Sequence, residues 1–273
     1  MESYTGRIIK ESLYMQQVTE TQAGVQNVEI LRPFGPCIIK ATIPEQVQQD
    51  LIGLFERNYQ AGDHSPNLAG NMLREFTIDD KTLDPEQAQR FVQMLADGSA
   101  ELYKYSKIVQ WENLKRTATQ RHKEIVDGRI NEMNLNCIVH QSWGNISVAG
   151  DFNPMHSHTG MISGVGYLRM PDNIEAEWEA EDHDPSAGLI NFMNSNSANL
   201  MSHNLRIKPE VGVIYFFPAW LQHEVYPFRS GGERWSFSFN TTIENLNSDV
   251  ELTNQDKIDM YEARTGQTVN AQN

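Results

Sequence analysis

The sequence predicts an α+β chain in which supporting helices precede an antiparallel β-sandwich or jelly roll. Helix-period apolar spacing dominates residues of about 44–130, and at residue 134 the pattern changes to period two and keeps it to about 242. Length agrees, because 273 residues suit one large domain with appendages. The division expected is an N-terminal arm over 1–27, a single domain over 28–245, and a C-terminal tail over 246–273.

Taken in order, Val28-Glu29-Ile30-Leu31 and Pro36-Cys37-Ile38-Ile39 read as strands broken by Pro33, Gly35 and Pro36. The first helix starts near Pro44, with Val47, Leu51, Leu54 and Phe55 on one face. A second begins at Asp84-Pro85-Glu86-Gln87, a cap, a first-turn proline and a glutamine at the capping-box position, and it buries Phe91, Leu95, Leu102 and Tyr103. Lys115, Arg116, Arg121, Lys123 and Arg129 form the only basic concentration and read as a solvated helix face. Leu135, Cys137, Val139, Gln141 and Trp143 then alternate with Asn134, Asn136, Ile138, His140 and Ser142 as a long strand. Further strands are expected over 163–168, 189–193, 205–207, 213–217 and 234–242. The carboxylate-rich segment 172–184 reads as a solvated loop, and a short helix is expected around Ile258 and Tyr261.

With 22 basic and 36 acidic residues the formal charge is −14. That argues against sequence-independent nucleic-acid binding and against anionic membrane surfaces, both of which need clustered Lys/Arg. It leaves open a small anion in a pocket, where one buried arginine dominates locally. Cys37 and Cys137 are too far apart in sequence to frame a Cys-x-x-Cys site, which points to a reducing cytoplasm. The chain shows neither a secretion signal nor a long uninterrupted apolar run.

The chemistry concentrates on three histidines. His156-Ser157-His158 places two imidazoles at i and i+2, which project to one side of an extended segment and so can share a metal ion. His223 joins them only across the fold. Neutral imidazole suits Fe(II), Zn, Cu and Ni. Eleven residues on, Arg234-Trp235-Ser236-Phe237-Ser238-Phe239-Asn240 alternates, sending Arg234, Ser236, Ser238 and Asn240 to one face and Trp235, Phe237 and Phe239 to the other. An arginine lining a barrel interior matches a carboxylate through paired charge-assisted hydrogen bonds.

These ordered segments resemble the Fe(II)/2-oxoglutarate-dependent oxygenases. The matching stretches are Asn153-Pro154-Met155-His156-Ser157-His158, Ser163-Gly164-Val165-Gly166-Tyr167-Leu168, the run from Gly212 through Phe217-Pro218 to His223, and Glu233-Arg234-Trp235-Ser236. Within that superfamily the chain is most similar to a branch found in marine bacteria and their phages, related to prolyl-hydroxylase-like enzymes. The resemblance implies a double-stranded β-helix core, with helices of the N-terminal part supporting it. It implies Fe(II) and 2-oxoglutarate as cofactors, O2 as co-substrate, and hydroxylation of an unactivated C–H bond with release of succinate and CO2. By the same resemblance His156 and His223 are metal ligands, Arg234 and Ser236 hold the distal carboxylate of 2-oxoglutarate, and Tyr167 assists them.

His158 departs from the pattern, since most of the superfamily has Asp or Glu there. Its family position and the competence of imidazole favour it as third ligand, with Asp151 and Glu224 as carboxylate alternatives. A histidine there also fills the place that halogenating relatives leave open, so halogenation is not expected. Two other readings compete: a cupin-like three-histidine metal enzyme that does not use 2-oxoglutarate, and a non-catalytic β-sandwich interaction protein. The primary substrate, a small molecule or a peptide, is set by loops, of which 61–74, 172–184 and 194–204 are candidates. The location expected is the cytoplasm, that of the host if the chain is phage-encoded.

Overall fold

The computed structural model describes residues 26–31, 35–59, 74–115, 133–180, 185–194, 203–246 and 254–266, with isolated positions between 120 and 128. Among the described residues the elements run β1 (Gln26–Leu31), β2 (Ile38–Thr42), α1 (Glu45–Asn58), β3 (Arg74–Thr77), α2 (Pro85–Lys115), β4 (Leu135–Ser147), β5 (Asn153–His156) and β6 (Ile162–Arg169). They continue as α3 (Ile174–Trp178), β7 (Ile190–Met193), β8 (Asn204–Ile207), β9 (Val213–Pro218), β10 (Gln222–Val225), β11 (Arg234–Asn245) and α4 (Asn254–Thr265).

A seven-stranded sheet in the order β1-β2-β9-β6-β11-β4-β3 faces a four-stranded sheet in the order β5-β10-β7-β8. Every pairing is antiparallel. From β4 to β11 the chain passes back and forth between the two sheets, which is the double-stranded β-helix form of the jelly roll. The α+β expectation therefore holds, with β1, β2 and β3 extending the larger sheet at both edges.

Both main helices cover the outer face of that sheet. Val47, Leu51, Leu54 and Phe55 of α1 and Phe91, Leu95 and Leu102 of α2 form one core with Trp235, Phe237 and Phe239 of β11. Each such ring or branched chain removed from water contributes about 1.5–3 kcal/mol, so this layer anchors the sheet that carries Arg234 and Ser236. The α2 start is a capping box: Asp84 Oδ1 accepts from the Glu86 and Gln87 amides at 3.0 and 2.9 Å, and Gln87 Oε1 accepts from the Asp84 amide at 3.3 Å. The buried stripe of α2 continues through Tyr105 and Ile108, leaving Tyr103 half-buried beneath Lys107. Asp50 ties the helices together, accepting from Arg90 Nε at 2.9 Å and Nη2 at 2.8 Å.

The aromatics of β11 fit because β6 offers glycines beneath them. A Cβ on Gly164 would stand 2.2 Å from Phe239 Cζ, and one on Gly166 would stand 2.3 Å from Phe237 Cζ. The spacing Ser163-Gly164-Val165-Gly166-Tyr167 thus gives the outer face to rings and the inner face to Val165 and Tyr167.

Three expectations are corrected. The strand from 134 does not keep one face throughout: the register shifts where Asn240 and Thr241 of β11 pair with Gln141 and Val139, skipping His140. This bulge reverses the alternation. Leu135, Cys137 and Val139 pack on the helical layer, whereas Trp143 turns inward with Asn145. The acidic segment is not merely a solvated loop, since it contains α3, with Ile174 fully buried and Glu177 accepting hydrogen bonds from the Arg229 and Ser230 amides. Finally, β3, β5 and β10 had no counterpart in the expected elements. The arm over 1–25, most of the basic concentration, the segment 60–73, His183 and the tail beyond 266 lie outside the described residues. Among the described residues no helix is long and apolar enough to cross a membrane.

Candidate metal and 2-oxoglutarate site

Between the sheets lies a cavity of about 200 Å³ lined by His156, His158 and His223, by Tyr167, Arg234, Ser236 and Ser238, and by Glu75, Trp143 and Asn145. The inward alternation expected for Arg234, Ser236 and Ser238 is what the structure contains.

The histidines converge by two devices. His156 and His223 are paired residues on β5 and β10. His158 arrives differently from the expected i, i+2 strand geometry, because β5 ends at His156. Its amide donates to Ala219 O at 2.8 Å, and the Ala219 amide donates to Met161 O at 3.0 Å, so the turn after β5 is stitched to the turn before β10. Ring centroids lie 4.3 Å apart for His156 and His223, 4.8 Å for His156 and His158, and 5.0 Å for His158 and His223.

Hydrogen bonding fixes two tautomers. His223 Nδ1–H donates to Leu221 O at 2.9 Å and His156 Nδ1–H donates to Pro154 O at 2.7 Å, which leaves each Nε2 as a lone-pair donor toward the cavity. Burial, with the neighbouring imidazoles, pushes His223 down to about 3 and His158 down to about 4, and burial lowers His156 as well. All three are therefore neutral at pH 7, the form that ligates metals. One ligand atom from each lies within 4.8 Å of the others, and His158 Nε2 is 3.2 Å from His223 Nε2. Two nitrogens each about 2.1 Å from a shared ion at right angles stand about 3 Å apart, so the donor set fits a transition metal.

Neither carboxylate alternative joins this group. Asp151 is buried, accepts from the Val148 amide at 2.9 Å and lies in the field of Arg234 and Arg74, while burial raises its pKa. Glu224 Oε1 accepts from Asn191 Nδ2 at 2.9 Å on the far side of β10.

At the other end of the cavity Arg234 is 3 % exposed. Its Nη1 donates to Gly188 O at 3.1 Å and its Nη2 to Ser147 Oγ at 3.2 Å, while Nε is buried with no hydrogen-bond partner among the described residues. A buried guanidinium whose fork is incompletely used costs free energy until an acceptor arrives, and a carboxylate is such an acceptor. Ser236 pairs across the sheet with Tyr167, and burial pushes the Tyr167 phenol up to about 12 against the opposing influence of Arg234, so its hydroxyl stays protonated as a donor. Trp143, Asn145 and Glu75 had no assigned part in the site from sequence. The strand pattern held Trp143 and Asn145, but only the bulge turns them inward.

Comparison with known proteins finds one matching family model and several similar solved structures. Residues 141–240 match the family model described as "Putative 2OG-Fe(II) oxygenase". Over that segment, 100 of the 273 residues, the chain is similar to the Fe(II)/2-oxoglutarate oxygenases. Similar solved structures include a Pseudomonas putida prolyl-4-hydroxylase, 16 % identical over 80 % of this chain and 93 % of that one, with a TM-score of 0.42. Another is the viral collagen prolyl hydroxylase of Paramecium Bursaria Chlorella virus-1, 11 % identical over 78 % and 94 %, TM-score 0.38. A third is HygX from Streptomyces hygroscopicus with nickel and 2-oxoglutarate bound, 9 % identical over 87 % of both chains, TM-score 0.42. No curated protein matches the chain.

Proposed function

We propose that the protein hydroxylates an unactivated C–H bond, with His156, His158 and His223 holding Fe(II) and with Arg234, Ser236 and Tyr167 holding the distal carboxylate of 2-oxoglutarate. The observation that carries this reading is one cavity with three neutral imidazole donors at one end and a buried, incompletely bonded Arg234 at the other. When bound, Fe(II) and 2-oxoglutarate supply the oxidising chemistry, in which substrate C–H, 2-oxoglutarate and O2 become C–OH, succinate and CO2.

The chain's own residues do the rest. Leu221 O and Pro154 O orient two imidazoles so that no reorganisation is needed on metal binding. Arg234 and Ser236 orient the co-substrate by charge-assisted and neutral hydrogen bonds, and the Tyr167 phenol adds a third donor. Phe217 meets the His223 ring edge-on and Phe192 lies tilted against it, an apolar flank that shields this ligand from bulk water. Cys37 and Cys137 are not bridged to one another, which accords with a cytoplasmic location. The primary substrate is a small molecule or a peptide.

The test is succinate formation from 2-oxoglutarate under O2. Wild type produces it in an Fe(II)-dependent manner, and His223→Ala and Arg234→Ala do not. Turnover that persists unchanged in both variants refutes the assignment.

A further inference from the structure

The inner wall of the larger sheet carries one polar row across four strands. Glu75 of β3 pairs with Asn145 of β4, Asn145 with Ser236 of β11, and Ser236 with Tyr167 of β6. All four line the cavity and are at most 5 % exposed. Strands stand about 4.8 Å apart, so Glu75 lies roughly 10 Å from Ser236 and roughly 14 Å from Tyr167. Ser236 therefore divides the row into a Tyr167 side and a side made of Asn145 and Glu75, while Arg234 stands two positions along β11 from Ser236 and reaches Ser147 of β4.

The two sides differ in chemistry. Arg234 and the Tyr167 phenol are donors. Asn145 Oδ1 is an acceptor, buried with no hydrogen-bond partner among the described residues, and Glu75 beside it presents a carboxylate. Glu75 has an interaction of its own, so the unanswered acceptor is that of Asn145. Two positions along β4, Trp143 adds an aromatic ring that leans on His158 at 5.7 Å between centroids. Carboxylate, amide oxygen and aromatic ring are together the set that receives an organic cation. A dianion such as 2-oxoglutarate is repelled from it.

We propose that Glu75 and Asn145 bind the ammonium or guanidinium group of the primary substrate, making this an oxygenase of cationic amines or of lysine or arginine side chains. The inference rests on the oxygenase reading above and gives that site its substrate class. Glu75 supplies charge, Asn145 Oδ1 accepts a second hydrogen bond, and the wall between them and the histidine cluster sets which carbon of the substrate faces the metal end.

The experiment is calorimetry on the full chain loaded with Zn(II), first with 2-oxoglutarate and then with cationic probes. Agmatine and putrescine represent free amines; the N-acetyl amides of arginine and lysine represent side chains; the N-acetyl amides of citrulline and norleucine are their neutral counterparts. At least one cation is expected to bind about tenfold or more tightly than its neutral counterpart, the scale of a charge-assisted hydrogen bond. Glu75→Gln is expected to erase that preference while binding 2-oxoglutarate no more weakly than wild type, because a negative charge has left the wall. Wild type that binds 2-oxoglutarate but no cation, or binds cation and neutral probe alike, overturns this inference alone. So does a folded Glu75→Gln that keeps the preference; should that variant not fold, the wild-type discrimination decides. Wild type that binds no 2-oxoglutarate fells the oxygenase reading and this inference with it.

Discussion

His156 and His223 stand directly opposite each other on β5 and β10, so strand register, and not loop conformation, sets the separation of two of the three imidazoles. A four-residue strand pair is short, but β10 is also paired along its whole length with β7. The third imidazole is held by the Ala219 stitch to the turn leading into β10. A preformed donor set of this kind lowers the ordering cost of metal binding.

Removal of either register-paired histidine is therefore expected to abolish metal binding. His156→Ala and His223→Ala should each weaken Zn(II) by more than the roughly 10–100-fold that follows loss of an outer partner. Calorimetry with Zn(II) and metal analysis of purified protein measure it.

His158 and Asp151 make opposite predictions. His158→Ala should lower metal affinity strongly, whereas Asp151→Asn should leave it within about twofold, since Asp151 is engaged with the Val148 amide and lies outside the histidine group. The reverse ranking, measured with the same metal, would transfer the third ligand to the carboxylate.

Arg234→Ala is expected to weaken 2-oxoglutarate by about 2–5 kcal/mol, the cost of truncating one partner of a buried charge pair. Ser236→Ala and Tyr167→Phe should each cost about 0.5–1.5 kcal/mol, as single neutral hydrogen bonds do. Titration of the Zn(II)-loaded protein with 2-oxoglutarate reads all three, and metal affinity serves as the internal control because none of them is in the histidine group.

Gly164→Ala tests the packing that presents the site. Its added methyl would meet Phe239 Cζ at 2.2 Å and Tyr215 O at 2.4 Å, and the second of these is backbone that cannot swing aside. A loss of about 1–3 kcal/mol is expected from such overpacking, seen as a lower denaturant midpoint.

The site was legible in sequence where its physics is local. Strict alternation in residues 234–240 separated Arg234 and Ser236 from Trp235, Phe237 and Phe239 because a strand has only two faces. The capping box at Asp84 marked a helix start for the same kind of reason. What was hidden depends on partners distant in the chain. β5 and β10 are four residues each, too short for a periodic signal, and exist because they pair with one another. Trp143 was assigned to the face of Leu135, since the bulge opposite Asn240 that reverses the strand is a property of the β11 pairing. Glu75 stands out only once Asn145 and Ser236 are seen beside it.

The most direct test of the central claim is anaerobic titration of Fe(II) into the protein with 2-oxoglutarate, followed by visible absorption. A metal-to-ligand charge-transfer band should appear only when both are present, vanish in His223→Ala and weaken in Arg234→Ala. Folded, iron-loaded wild type that shows no such band with 2-oxoglutarate would contradict the assignment of the three histidines and Arg234 to one Fe(II)/2-oxoglutarate site.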